Sequence, residues 1–471
     1  MRNILLVVVD TLRPDHLGCY GYDRPVSPRL DDLAARGSLL TSLWSASNFT
    51  APAFTSLFTG LYPHQHGVFD FMSRASGGVV RQVLENNRAR TGAVVSFRFF
   101  SNLLSEVWND ITAVTDTRSF NYSKDLPPAV TEESLAWLEK NGKDGPFCLF
   151  THYDGPHMPY RLPAEFAHSF DTVDPAAVDS DFRHLVFPQD KEEIGQTEEA
   201  SMFRLINQVN WGRRKLNQET LQWMKDKYDA SIRYNDEAIG NLLDGLKNLG
   251  LAEDTIVVVL SDHGEEFFEH GHLAHAGIHL YEEVVRTVGI IHDPAGPGNG
   301  QRVDVPLSQV DVWPTLLSLS GATDPPGDWL GRGFNSLLES DSPPVGTARI
   351  EETADVPPAP VFCHGQFKLA MRLGRHKLIV PKPSPVLGRG RRLRLWLKML
   401  LQGELRDEVF DLADDPGETR NLAGDADLRR SLRSILAGHM AAEGPSFNPA
   451  TDLAEEQRKK IEQEMKDLGY M

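Results

Sequence analysis

Two uninterrupted apolar runs, each closed by an acid, constrain this chain more than any other feature. Ile4-Leu5-Leu6-Val7-Val8-Val9 ends at Asp10, and Ile256-Val257-Val258-Val259-Leu260-Ser261 ends at Asp262-His263-Gly264. A strand that is apolar at nearly every position, without polar alternation, must be covered on both faces, as a central parallel strand is. Ala93-Val94-Val95-Ser96-Phe97 and Phe147-Cys148-Leu149-Phe150-Thr151-His152 read the same way. Helical spacing falls between them, over Pro28–Arg36, Val130–Asn141 and residues 218–250. Strand–helix alternation over roughly 320 residues predicts a doubly wound, mostly parallel α/β sheet flanked by helices.

In such open sheets, ligands collect beyond the carboxyl ends of the strands. Asp10 and Asp262 each directly follow a strand and are therefore expected at one edge, with His263 adding an imidazole. Thr50 opens the segment Thr50-Ala51-Pro52-Ala53-Phe54, and Pro52 near its start marks the first turn of a helix. A single acid after a strand is as often a helix cap as a ligand. Two carboxylates, an imidazole and a hydroxyl together suit a divalent metal beside a nucleophile.

A breaker-rich zone over Pro325–Pro344 separates this part from short β-like runs at 368–372 and 376–380. The expected division is an α/β catalytic domain over 1–340, a smaller α+β subdomain over 345–440 and a helical tail over 441–471. The basic, apolar run 389–401 reads as a packed surface helix or an oligomer contact in preference to a membrane contact. With 66 acidic against 48 basic residues, a net charge of −18 argues against nucleic-acid binding. A small anionic ester remains compatible with it, because a metal can set the local field. The three cysteines are scattered and read as reduced thiols. No apolar stretch reaches membrane-spanning length and no leader pattern opens the chain, so a cytoplasmic protein is expected.

Six motifs, in order, resemble the sulfatase branch of the alkaline phosphatase superfamily. They are Val9-Asp10-Thr11-Leu12-Arg13-Pro14-Asp15-His16 and Ser27-Pro28-Arg29-Leu30-Asp31, then Ser56-Leu57-Phe58-Thr59-Gly60-Leu61-Tyr62-Pro63 and Asp154-Gly155-Pro156-His157-Met158-Pro159-Tyr160, and finally Ser261-Asp262-His263-Gly264-Glu265-Glu266 and the C-terminal Glu408–Leu422 segment. The family carries Cys-x-Pro-x-Arg, with the cysteine (or a serine) matured to formylglycine, where this chain has Thr50 and Phe54. It therefore resembles a non-formylglycine variant. Threonine-nucleophile relatives include phosphoethanolamine transferases and nucleotide pyrophosphatases.

The resemblance implies one divalent ion held by Asp10, Thr50, Asp262 and His263. Thr11, where the family often has a second acid, would be a weak oxygen ligand. Fewer carboxylates and a histidine favour Mn²⁺ or Zn²⁺ over Ca²⁺. A second metal, using Asp154, His157 and His279, is the less favoured arrangement. His157 and either His275 or His279 are expected to act as general acid or charge-stabilising donor, with the last two standing in for the family's lysine. Arg98, Phe54 and His270 are candidate substrate contacts. A threonine cannot follow the elimination route of formylglycine hydrate, so phosphodiester, phosphonate or phosphate ester hydrolysis is favoured. The alternatives are sulfate ester hydrolysis by unmodified Thr50, phosphoryl transfer to an alcohol, and a non-catalytic binding protein. Relatives of this kind are often dimers or larger, so a homo-oligomer is expected.

Overall fold

The computed structural model describes residues 1–69, 78–97, 100, 103–105, 107–115, 124–188, 196–275, 278–296, 300–323, 331–338, 349–350, 359–382, 399–400, 403 and 405–441. Its strands are β1 (Asn3–Val9), β2 (Ser38–Leu40), β3 (Leu43–Trp44), β4 (Arg90–Phe97), β5 (Asp110–Thr115), β6 (Phe147–Tyr153), β7 (Thr255–Ser261), β8 (Arg286–Thr287), β9 (Gly289–His292), β10 (Gln301–Val303), β11 (Leu307–Ser308), β12 (Arg349–Ile350), β13 (Val361–His364), β14 (Lys368–Leu373), β15 (His376–Pro381) and β16 (Glu408–Asp411).

Nine of these strands form the main sheet, in the order β12-β10-β2-β9-β7-β1-β6-β4-β5. β1 lies between β6 and β7 and runs parallel to both. β9 is the strand that runs against its neighbours. Successive side chains of β1 point to opposite faces. Leu5, Val7 and Val9 enter one core with Leu30, Leu33, Val130, Leu138 and Leu242. Ile4, Leu6 and Val8 enter the other with Ala51, Leu57, Phe58, Val312 and Leu316. The continuous apolar run is thus the consequence of two buried faces.

The helix over Pro28–Arg36 starts with Pro28 in its first turn and stops at Gly37. The helix expected from Val130 begins earlier, at Leu126, because Pro127 fits its first turn. The long helix runs Gln218–Asn248 with Asn217 capping the Thr220 amide. Phe58 is fully buried, edge-on to Phe150 at 5.2 Å and Trp108 at 5.5 Å between ring centroids. Truncating it leaves a cavity that these two rigid rings cannot fill, so Phe58→Ala is expected to lose about 3–5 kcal/mol in denaturant unfolding. A loss below about 1 kcal/mol would show that this core collapses around the gap.

The strands β13-β14-β15-β16 form a separate antiparallel sheet. The helix Ala426–Ala441 covers it through Leu432 and Leu436, and Ala46, Tyr62 and Val310 of the larger unit join the same apolar cluster. Of the basic run 389–401, only Met399 and Leu400 are described, the first buried and the second exposed. The tail beyond Ala441 lies outside the described residues. No described helix is long and apolar enough to cross a membrane.

Candidate active site

Strand register brings the acids together. Val9 of β1 pairs with Tyr153 of β6 and Ser261 of β7, so the residues that follow, Asp10, Asp154 and Asp262, leave the sheet at one level. The chain after Asp10 then turns sharply. Thr11 adopts a left-handed backbone with φ 55°, a costly conformation for a β-branched residue. The turn aims its N–H at Asp262 Oδ1, 3.1 Å away. Tyr228 holds it there by donating its hydroxyl to the Thr11 carbonyl at 2.7 Å.

Asp262 Oδ1 also accepts the His263 N–H at 2.8 Å. Among the described residues, its partner oxygen Oδ2 has no hydrogen-bond donor, and neither Asp10 Oδ1 nor the Thr11 hydroxyl has a partner, though all are buried. His263 donates Nδ1–H to the Gly264 carbonyl at 3.0 Å. That bond fixes the tautomer and leaves the Nε2 lone pair facing the acids. Nε2 is 3.3 Å from Asp262 Oδ2 and 3.1 Å from the Thr50 hydroxyl. Thr50 is the first residue of the helix Thr50–Thr59.

One ligating atom each from Asp10, Asp262 and His263 lie within 4.8 Å of one another. Burial, then Asp262, Asp154 and Glu265, hold the Asp10 carboxyl well above the usual range. Burial and then Asp262 do the same to Asp154. Dry carboxyls of raised pKa packed against Asp262, with lone pairs lacking donors, want a cation between them. The mixed oxygen and imidazole set fits a divalent metal. Asp10, Asp262, His263 and the Thr50 hydroxyl are the groups that would hold it.

Two further predicted residues adjoin this cluster. The His275 ring is 4.5 Å from that of His263, and His157 is 5.0 Å from His275. His275 Nδ1 bonds Glu265 Oε1 at 3.0 Å, and His157 Nδ1 bonds the Met158 carbonyl. Burial first lowers both imidazoles to about 4. Glu265, buried beneath them, is raised to about 7 by burial, against the pull of His157 and His263. Glu265 is not among the residues its motif distinguishes; its signal is its position two residues past His263.

Other expected contacts are engaged elsewhere. His279 pairs with Glu266 at 2.7 Å and stacks on His272 at 4.0 Å. His270 stacks on Tyr281 at 3.6 Å and faces Glu283 at 3.2 Å. The segment folds back on itself through the Phe267–Leu273 bridge, with positive φ at Phe268, Gly271 and Ala274, which sends neighbouring histidines to different partners. Phe54 does not wall a pocket. It is fully buried among Phe58, Phe100, Phe150 and His152, filling the core behind the site. His152 Nε2 lies 3.6 Å from Asp10 Oδ2, and burial lowers this imidazole to about 3. Arg98 lies outside the described residues.

Beside the site, buried Arg13 donates to the Glu265 carbonyl at 2.9 Å and to Glu269 at 2.8 Å, tying the loop after β1 to the loop after β7. Gly264 must be glycine here, because a Cβ would meet the Glu283 carbonyl at 2.0 Å.

Comparison with known proteins agrees with this geometry. The family model described as Sulfatase matches residues 2–322. Iduronate 2-sulfatase of Mus musculus is 26% identical, over 72% of this chain and 66% of that protein. N-acetylglucosamine-6-O-sulfatase of Bacteroides thetaiotaomicron is 21% identical, over 92% of this chain and 85% of that one. The crystal structure of the phosphonate monoester hydrolase of Agrobacterium radiobacter aligns with a TM-score of 0.66 at 19% identity, covering 93% of this chain and 95% of that one. That likeness is one of fold. Because the family match spans β1, the helix of Thr50 and β7, which together build the site, the chain belongs to the sulfatase family and is an ester hydrolase.

Proposed function

We propose that this chain hydrolyses phosphorus esters (phosphodiesters, phosphonate monoesters or phosphate monoesters) with Thr50 as the covalent nucleophile. The observation that carries the reading is the Thr50 hydroxyl, 3.1 Å from His263 Nε2 beside two buried carboxylates. Threonine cannot be matured to formylglycine, so a sulfate group could not leave by the family's elimination route. A second displacement at phosphorus needs only water.

A divalent ion held by Asp10, Asp262, His263 and the Thr50 hydroxyl, Mn²⁺ or Zn²⁺ by the donor set, would act as a Lewis acid that lowers the hydroxyl's pKa. Thr50 gives its proton to solvent, and its Oγ1 forms a bond to phosphorus as the bond from phosphorus to the leaving alcohol breaks. His275 or His157, in its imidazolium form, gives the leaving oxygen a proton from Nε2. Water next attacks phosphorus, the Oγ1–phosphorus bond breaks, and the imidazole takes the water's proton. Thr50 Oγ1 takes a proton back from solvent, and the acid is released.

Glu265 orients His275 in this scheme. Below about pH 7 it holds a proton, and above that pH it carries the charge that favours imidazolium. Glu265→Gln is expected to lower kcat by roughly 10–100-fold. It should also remove a limb near pH 7 from the rate profile while leaving metal content unchanged. A variant with the wild-type profile would exclude this role.

The test of the reading is a para-nitrophenyl panel of phosphate diester, phosphonate monoester, phosphate and sulfate, each assayed with Mn²⁺, Zn²⁺ and Ca²⁺. Phosphorus esters should give the highest kcat/KM. Sulfate cleavage by unmodified Thr50 is the second reading, favoured by the sulfatase names of the relatives. A preference for sulfate would establish it instead.

A further inference from the structure

We infer that His64, His364 and His439 form a second, separate transition-metal site, suited to Zn²⁺, that fastens the C-terminal helix to the catalytic unit. The three come from different elements. His64 lies in the short helix Pro63–His66, His364 ends β13, and His439 lies in the helix Ala426–Ala441. One ring nitrogen from each lies within 4.8 Å of the others. Their ring centroids form a near-regular triangle, with sides of 4.9, 4.7 and 5.4 Å. Imidazoles bound to one tetrahedral ion at about 2.0–2.1 Å per nitrogen have centroids about 5 Å apart. His364 Nε2 and His439 Nε2 are 3.1 Å apart.

Both ring nitrogens of His64 and Nδ1 of His364 are buried with no hydrogen-bond partner among the described residues. His364 itself is 2% exposed. Buried polar atoms without partners are uncommon and call for a ligand. Neutral imidazole is the form that ligates, and burial lowers all three below their ordinary value. Tyr62 and Phe362 pack on the His439 ring and exclude water from one side. The ammonium of nearby Lys382 opposes a cation, and burial draws it down to about 8.

The site would couple to the nucleophile helix through one more bond. His66, two residues past His64, bonds Ser56 of that helix at 3.0 Å. An ion there would close two long loops, between residues 64 and 364 and between 364 and 439, whose ends otherwise pay closure entropy.

The full chain carrying Asp262→Asn isolates the question, because that substitution disables the site at Asp10. After dialysis against Zn²⁺ and gel filtration, it should retain one equivalent of zinc. With Co²⁺ in its place it should show the intense visible bands of a tetrahedral ion. Adding His439→Gln, or separately His64→Gln, should weaken Zn²⁺ binding by on the order of 100-fold or more. Circular dichroism checks that each variant is folded. Absence of zinc from Asp262→Asn, or unchanged binding in both folded double variants, would overturn the proposal. The result is independent of which ester the enzyme cleaves.

Discussion

Thr50→Ala lowers kcat/KM on the order of 10⁴–10⁶-fold, the scale on which a covalent nucleophile is lost. A factor of 10⁵ corresponds to about 7 kcal/mol of transition-state stabilisation. Its structural cost is small by comparison. Thr50 opens its helix, its hydroxyl makes one contact with His263, and alanine is a good helix former. Asp10, Asp262 and His263 keep their places, so metal content falls only in proportion to one weak oxygen ligand. Thr50→Ser restores the hydroxyl and should recover most of the rate. Metal analysis, thermal melting and kcat/KM on the three proteins separate the cases. Folded, metal-loaded Thr50→Ala with activity within tenfold of wild type would mean that water attacks phosphorus directly.

Asp262→Asn is expected to abolish metal binding at this site and activity with it, yet to stabilise the metal-free protein. The amide oxygen can still accept from Thr11 N–H and His263 N–H, as Asp262 Oδ1 does at 3.1 and 2.8 Å. The amide nitrogen then replaces Oδ2, which has no donor of its own, and one negative charge leaves the cluster. Without metal, the raised carboxyls set the sign of the pH dependence. Burial raises Glu265 to about 7 and Asp10 well above its ordinary value, so these carboxyls bind more protons in the folded protein than in the unfolded chain. Their contribution to the stability of the metal-free wild type therefore falls as pH rises from the unfolded carboxylate range through about 7, whereas the lowered imidazoles of His157 and His275 contribute with the opposite sign between about 4 and their ordinary value. Metal affinity moves the other way, rising with pH as those protons leave. Thermal melting with and without chelator at acidic and mildly alkaline pH checks both signs. Equal stabilisation by metal at both ends would contradict the account.

The strands and the acids at their ends were legible because burial on both faces leaves a continuous apolar pattern, and two such strands deliver Asp10 and Asp262 to one edge. That Asp154 stands level with them follows from the pairing of Val9 with Tyr153, which no single segment states. The histidines between 270 and 279 were hard to sort because the left-handed turns at Phe268 and Ala274 break any simple spacing. That Phe54, a candidate substrate contact, fills core instead was hidden because its partners, Phe100, Phe150 and His152, come from remote parts of the chain. His64, His364 and His439 are likewise invisible as a set until β13 and the last described helix converge on the loop after the nucleophile helix.

The most direct measurement is to quench the enzyme during turnover of a slow phosphonate or phosphate ester and map the modified peptide by mass spectrometry. The account predicts a phosphoryl or phosphonyl group on Thr50, formed and lost at rates compatible with kcat, and absent from Thr50→Ala. An unmodified Thr50 throughout turnover, or a phosphorus group carried by a histidine instead, would contradict it.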